Sequence, residues 1–249
     1  MNCLALIPAR YASTRFPGKP LADIRGKAMV CRVYERVAES FDHCWVATDD
    51  MRIYRAVEEF GGRVVMTSDR HRSGTERCRE ALDLVEAAEG MKFDVVVNVQ
   101  GDEPFVSSDH LGKIMRPFER DPHTPIATLV KPFAEGEDIF NPNTPKVAVA
   151  ADGRALYFSR SVIPCVRGAA PADWSRRHVY YKHIGMYAYR SDVLRAIVEL
   201  PPSPLEEAES LEQLRWIEHG VRICAEVTHA ETVAVDTPED LRRILGMSD

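Results

Sequence analysis

Through the first half of the chain, short apolar runs alternate with stretches whose apolar residues recur at helical spacing. The runs 3–7, 43–47, 63–66, 94–99 and 126–130 read as strands, and 27–39, 51–60, 75–88 and 109–119 between them read as helices. Met29, Val30, Val33 and Val37 share one helical face, and so do Ala81, Leu82, Val85 and Ala88. Strands that are apolar almost throughout belong in a parallel sheet covered on both faces. The predicted fold is therefore α/β with a mostly parallel sheet, and its ligands are expected beyond the carboxyl ends of the strands.

Beyond about residue 140 the pattern changes. Runs at 146–150 and 155–158 flank Ala151-Asp152-Gly153-Arg154, and Asp-Gly between two such runs signals a hairpin. Residues 174–181 are mixed and read as loop, 184–189 as a strand and 192–199 as a helix. Leu200-Pro201-Pro202-Ser203-Pro204 interrupts the chain. A single helix is expected over 206–218 with Gly220 at its C′ position, then a strand at 221–227. The last helix, 238–245, has Thr237 as N-cap and Pro238 in its first turn. We read one domain over 1–249, with 136–229 as an inserted section that shapes a second substrate site and a dimer contact.

The first strand breaks into Pro8-Ala9-Arg10-Tyr11-Ala12-Ser13-Thr14-Arg15-Phe16-Pro17-Gly18-Lys19-Pro20. This loop carries three cations, Arg10, Arg15 and Lys19, with two hydroxyls and a glycine, and a helical pattern follows it. Guanidinium forks, an ammonium, backbone N–H groups and a helix N-terminus together suit a polyanion such as a nucleoside triphosphate. The nucleotide-binding part is then about 1–135 and 230–249.

Two further runs deliver acids at strand ends. In Val95-Val96-Val97-Asn98-Val99-Gln100-Gly101-Asp102-Glu103-Pro104, Asp102 reads either as a turn cap or as a ligand for Mg²⁺, a hard ion that shares oxygen ligands with phosphates. In Val233-Ala234-Val235-Asp236-Thr237-Pro238, Asp236 has the same two readings, and a cap at Thr237 would free it for a metal.

Bulk properties narrow the classes. A chain of 249 residues with 45% apolar content can bury one sizeable core. Its net charge of −6 and lack of a long basic run argue against nucleic acid as a partner. No stretch nears the ~18 apolar residues of a membrane span, and no signal peptide is recognisable. Six scattered cysteines without a C-x-x-C spacing read as buried free thiols.

With these segments in view, the chain resembles the cytidylyltransferases that activate 3-deoxy-manno-octulosonate (KDO), the eight-carbon acid sugar of lipopolysaccharide. The resemblance is carried by 7–21, by Val46-Ala47-Thr48-Asp49-Asp50, Ser73-Gly74-Thr75-Glu76-Arg77 and Asn98 to Pro104, and by Ala155-Leu156-Tyr157-Phe158-Ser159-Arg160. It continues in His183-Ile184-Gly185-Met186-Tyr187, Leu211-Glu212-Gln213-Leu214-Arg215 and Val235 to Leu241, in order along the whole chain. Ala28 stands where that family usually has proline, and 165–178 diverges.

The resemblance implies a nucleotide-diphospho-sugar transferase fold, a Rossmann-like three-layer sandwich with an inserted hairpin and sugar-binding section. It also implies transfer of CMP from CTP to KDO, Mg²⁺, a cytoplasmic location and a homodimer. It assigns Arg10, Arg15 and Lys19 to the triphosphate, with Arg15 and Lys19 also catalytic, and Asp102 and Asp236 to Mg²⁺. Ser73 and Gly74, with backbone near Ala9, would read the cytosine, and Arg77 would join the nucleotide site. Gln100, Arg160, His183, Tyr187, Glu212 and Gln213 would line the sugar site. Taken singly, His183 reads equally as a core histidine, Arg160 as a surface ion-pair residue and Tyr187 as packing. An 8-amino analogue of KDO or a nine-carbon sialic-type acid is the nearest alternative substrate. A non-catalytic CTP-binding regulator is the rival from another class. A nicotinamide-dependent dehydrogenase is disfavoured, because no G-x-G-x-x-G follows the first strand.

Overall fold

The computed structural model describes residues 1–12, 16–231, 235 and 237–246, and they form two compact units. The first comprises Met1–Gly112, Ala188–Val198 and Glu231–Asp249, and the second Lys113–Tyr187 and Glu199–Ala230.

In chain order the first stretch holds β1 (Cys3–Ala9), a two-stranded ribbon of β2 (Asp23–Ile24) and β3 (Lys27–Ala28), α1 (Met29–Ala38) and β4 (Cys44–Thr48). Then come α2 (Met51–Glu59), β5 (Val64–Met66), α3 (Gly74–Glu89), β6 (Val95–Asn98) and α4 (Ser108–Arg120). Strands β5, β4, β1 and β6 lie side by side and pair in parallel, with Ala5 opposite both Cys44 and Val97. Leu4, Ala5, Leu6 and Ile7 are all fully buried although successive side chains point to opposite faces, so this sheet is covered on both sides, as the unbroken apolar runs predict. Met29, Val30, Val33 and Val37 of α1 are fully buried, each aliphatic side chain contributing about 1.5–3 kcal/mol relative to exposure. On α3 the buried face is Ala81, Leu82 and Val85, while Ala88, expected with them, is exposed. Helix α1 starts at Met29 because residues 23–28 turn back as the ribbon, whose tight turn holds Gly26 at φ 82°.

The second stretch adds β7 (Ile126–Pro132), β8 (Lys146–Val149), β9 (Ala155–Ser159), α5 (Trp174–Arg177) and β10 (Tyr181–Arg190). After these come α6 (Ser191–Ile197), α7 (Pro204–Glu209), α8 (Gln213–Glu218), β11 (Ile223–Val227) and α9 (Pro238–Leu245). In the second unit β11 and β7 are parallel, and β8 pairs antiparallel with both β9 and β10. The β8–β9 hairpin is the one its Asp-Gly turn predicts, with Gly153 at φ 83°.

The helix expected over 206–218 is two helices. The Ser203–Glu206 capping box and Pro204 start α7 early, and Ser210 at φ 50° ends it. Arg215 of α8 then grips Glu206 through two guanidinium nitrogens, Nε at 2.6 Å and Nη2 at 2.5 Å. Gly220, at φ 80°, closes α8 as expected. None of the six cysteines is in a disulfide. Cys31, Cys44 and Cys78 are buried as predicted, but Cys3 and Cys224 are half-buried and Cys165 is exposed on a loop.

Candidate functional site

In the first unit a pocket of about 240 Å³ opens at the carboxyl ends of β1 and β6 and at the N-terminus of α3. Its wall includes Ala9 and Arg10 from the end of β1, Lys19 and Pro20 past the loop, Ser73, Gly74 and Arg77 from α3, and Gln100 to Asp102 after β6. This is the edge of a parallel sheet where ligands are expected. Two glycines let the backbone close in. A Cβ on Gly101 would stand 2.9 Å from the Pro8 carbonyl oxygen, and one on Gly74 3.3 Å from Pro8 Cγ. Ser73 caps the sixteen-residue α3, its Oγ accepting the Glu76 N–H at 3.2 Å. The helix N-terminus that lines the pocket is therefore that of α3; the helix following the cationic loop starts only after the ribbon. The oriented N–H groups and dipole at the N-terminus of α3 favour an anion.

Lys19 Nζ donates to Asp102 Oδ2 at 2.7 Å, with side chains 13% and 30% exposed. One ligand-facing ammonium and one ligand-facing carboxylate thus neutralise each other, and each has a natural second partner, a phosphate and a cation respectively. The N–H of Val235 donates to the Asp102 carbonyl at 2.9 Å, which draws residue 235 alongside residue 102. Asp236 and Arg15 lie outside the described residues. Asp102, a hard oxygen donor on a pocket wall, fits Mg²⁺, which takes one or two carboxylates and completes its shell with water and phosphate oxygens. Among the described residues no three His, Cys, Asp or Glu side chains cluster as a ready-made metal cage.

Arg77 lines the pocket but is 3% exposed and committed elsewhere. It donates to Asp49 Oδ2 and Thr67 Oγ1, both at 2.6 Å, and to the Ser68 carbonyl at 3.3 Å. Asp49 stands just past β4, so this buried ion pair ties α3 to the end of that strand.

Three residues that the sequence reading gave no role belong to the neighbourhood. His71 and Arg72 line the pocket, and α3 holds their loop through the His71–Glu80 contact and through Glu76, which accepts the Arg72 N–H at 2.8 Å. The basic run Arg70-His71-Arg72 was the available signal. Glu103 is buried, and its Oε2 has no hydrogen-bond partner among the described residues. Burial, and secondarily the charge of Asp102, pushes its carboxyl up to about 7.

The other candidates, apart from Gln100, sit in the second unit. His183 on β10 has Nε2 3.0 Å from Thr128 Oγ1, with ring centroids 5.1 Å from Phe158 and 5.3 Å from Tyr187. Burial pushes its imidazole down to about 4, so it is neutral near pH 7. Tyr187 meets Trp216 of α8 edge-on at 5.3 Å. Gln213, one turn before Trp216 on α8, is buried, and its Nε2 has no partner among the described residues. Glu212 precedes it at the N-cap. An aromatic ladder Phe158–His183–Tyr187–Trp216 therefore gathers His183, Tyr187 and the start of α8. Arg160 is occupied differently: it donates to the carbonyls of Glu209 (2.6 Å), Pro142 (3.0 Å) and Ser210 (3.3 Å). Leu211 and Leu214 are buried packing residues.

A cytidylyltransferase family model matches residues 4–223. A 3-deoxy-manno-octulosonate cytidylyltransferase of Parabacteroides distasonis is 54% identical over 99% of this chain and 98% of its own length. Its counterpart in Bacteroides thetaiotaomicron is 55% identical over 97% of this chain and 96% of its own. A solved CMP:2-keto-3-deoxy-manno-octonic acid synthetase complexed with CTP superposes with a TM-score of 0.87 at 42% identity, covering 98% of this chain and 97% of that one. A 4-diphosphocytidyl-2C-methyl-D-erythritol synthase from Anaerococcus prevotii has a TM-score of 0.59 at 15% identity, covering 98% of this chain and 96% of that one, and so shares the fold.

Proposed function

The chain belongs to the cytidylyltransferase family, and from that premise we propose that it transfers CMP from CTP to KDO, releasing pyrophosphate. The observation that carries this reading is the Lys19–Asp102 pair on the wall of a pocket that also receives the N-terminus of α3. An ammonium, the Arg10 guanidinium on the pocket wall and oriented N–H groups suit a triphosphate. A carboxylate in the same wall suits the cation that travels with it.

In the proposed reaction the anomeric 2-hydroxyl of the sugar acid attacks the α-phosphorus in line. A C–O–P bond forms, the bond to pyrophosphate breaks, and the hydroxyl proton is released to solvent. Two anionic reactants must be held together, so positioning and charge compensation supply most of the rate. Lys19 swings from Asp102 to the phosphates, and Arg10 and Arg15 share the triphosphate. Backbone N–H groups at Ser73 and Gly74 face the nucleotide. Asp102 and Asp236 would hold Mg²⁺. When bound, this ion supplies positive charge at the α-phosphoryl oxygens and at the leaving pyrophosphate. Arg77 supports the site from beneath through Asp49. Sugar recognition is assigned to Gln100, Arg160, His183, Tyr187, Glu212 and Gln213. The neutral imidazole of His183 can donate or accept a hydrogen bond to a hydroxyl without bringing charge.

We further infer a cytoplasmic location and a homodimer. Both follow the resemblance, and the location accords with the lack, among the described residues, of a helix long and apolar enough to cross a membrane. Pyrophosphate release with CTP and Mg²⁺ tests the reaction against KDO, its 8-amino analogue, a sialic acid and no sugar. Release with KDO alone is expected. Preference for the 8-amino analogue would revise the sugar, and silence across the panel despite CTP binding would favour a regulator.

A further inference from the structure

Tyr11 and Gly18 stand at the two ends of the cationic loop, and the residues immediately outside them, Arg10 and Lys19, both line the pocket. The Gly18 N–H donates to the Tyr11 carbonyl at 3.0 Å. Gly18 holds φ 73°, and a Cβ there would stand 3.1 Å from Tyr11 Cζ and Oη, so the phenol ring lies directly against the glycine. The guanidinium of Arg52 stacks over the Tyr11 ring, its Cζ 3.3 Å from the centroid. That guanidinium is fixed in turn by Asp50, which accepts from Arg52 Nε at 2.9 Å and from its terminal nitrogen at 2.6 Å. Asp50 also caps α2, accepting the Arg52 N–H at 2.9 Å. A rigid helix end thus presents a flat cation to the ring, and the ring is held against the far end of the loop.

We propose that Asp50, Arg52 and Tyr11 form a clamp that sets the spacing of Arg10 and Lys19 across the pocket. They act as positioning residues for the triphosphate. This rests on the cytidylyltransferase reading for the identity of the polyanion. The bidentate Asp50 contact occupies Arg52, so it serves as a platform for Tyr11. Arg52 is 59% exposed, so little of the fold's stability depends on it, and a loss of anion affinity in its variants reads out positioning.

The test combines Tyr11→Ala, Arg52→Ala, their double variant and Tyr11→Phe. Affinity for inorganic tripolyphosphate is measured by calorimetry, with kcat and KM for CTP, KM for KDO and melting temperature alongside. Each alanine variant is expected to weaken tripolyphosphate and raise the CTP KM about tenfold, the scale of a lost cation–π contact. The KDO KM and melting temperature should barely move. The double variant should be no worse than either single one, because both remove the same stack. Tyr11→Phe, which keeps the ring, should restore most of the affinity. Effects that multiply in the double variant would overturn the clamp, as would a Tyr11→Phe variant as weak as Tyr11→Ala or unchanged anion affinity throughout. A wild type that does not bind tripolyphosphate would overturn it as well. A wild type that binds tripolyphosphate but never consumes CTP with a sugar acid would sink the reaction and leave the clamp to be judged on anion affinity.

Discussion

The pocket of the first unit and the aromatic ladder of the second are built on opposite principles. The pocket is assembled at ends: the end of β1, the turn after β6 and the start of α3. Two of its charged groups, Lys19 and Asp102, stay partly exposed and neutralise one another. The ladder is assembled within elements, from β9, β10 and α8, and its members are packed ring against ring. Ends can bind a flexible polyanion because charge acts over distance and tolerates small shifts. A packed ladder can discriminate hydroxyl patterns, because a buried polar atom such as Gln213 Nε2 costs free energy until the right partner arrives. The comparison predicts that damage to the pocket falls on turnover and that damage to the ladder falls on sugar affinity.

The largest effect is expected from Asp102→Asn. It removes the charge proposed to hold Mg²⁺ and should cut kcat by about a thousandfold at any Mg²⁺ concentration. Steady-state pyrophosphate release measures this, and near-normal turnover would remove Asp102 from the metal. Lys19→Ala comes next. Its kcat should fall about a hundredfold, more than CTP affinity weakens, because the ammonium is proposed to meet charge that develops during transfer. An equal loss in CTP affinity with kcat intact would make Lys19 only a binder. On the other side of the comparison, Arg160→Ala should raise the KM for KDO about tenfold and leave that for CTP unchanged. Because Arg160 also holds the turn at Ser210, Arg160→Lys is the sharper variant. If the CTP KM moves instead, the division of labour between pocket and second unit is wrong.

How much of this was legible in the sequence depended on the range of the interactions. The strands of the first unit follow from local apolar runs, and the Asp152-Gly153 hairpin follows from turn chemistry. Lys19 and Asp102 were legible as loop and strand-end residues of the right chemistry. Their 2.7 Å contact spans 83 positions and no local pattern encodes it. The break at Ser210 was hidden for a similar reason. Residues 206–218 are good helix formers, and the turn depends on a distant guanidinium, Arg160, donating to the Ser210 carbonyl. The resemblance placed Arg77 in the nucleotide site, and it does line the pocket, but its donors go to Asp49, Thr67 and Ser68, partners that no local pattern signals. The chain passes between units at 112/113, inside α4, at 187/188, inside β10, and at 198/199 and 230/231; the first two fall within continuous elements, whereas the third lies beside the breaker run Leu200-Pro201-Pro202-Ser203-Pro204.

The smallest predicted effect separates a packed histidine from a titrating one. The imidazole of His183 is pushed by burial to about 4, below the ordinary value of about 6.5. Between those two pH values the unfolded chain binds the proton and the folded chain does not, so stability falls as pH drops through that window and is fully present above it. Thermal melts of the wild type from pH 7 to 4 should therefore show a decline that a His183→Gln variant partly lacks, although the variant is less stable at pH 7. The same neutrality predicts that KDO affinity stays flat between pH 6 and 8. A KM for KDO that improved on acidification through pH 6.5 would mean that His183 binds the sugar acid as an imidazolium. The ladder would then work by charge, as the pocket does.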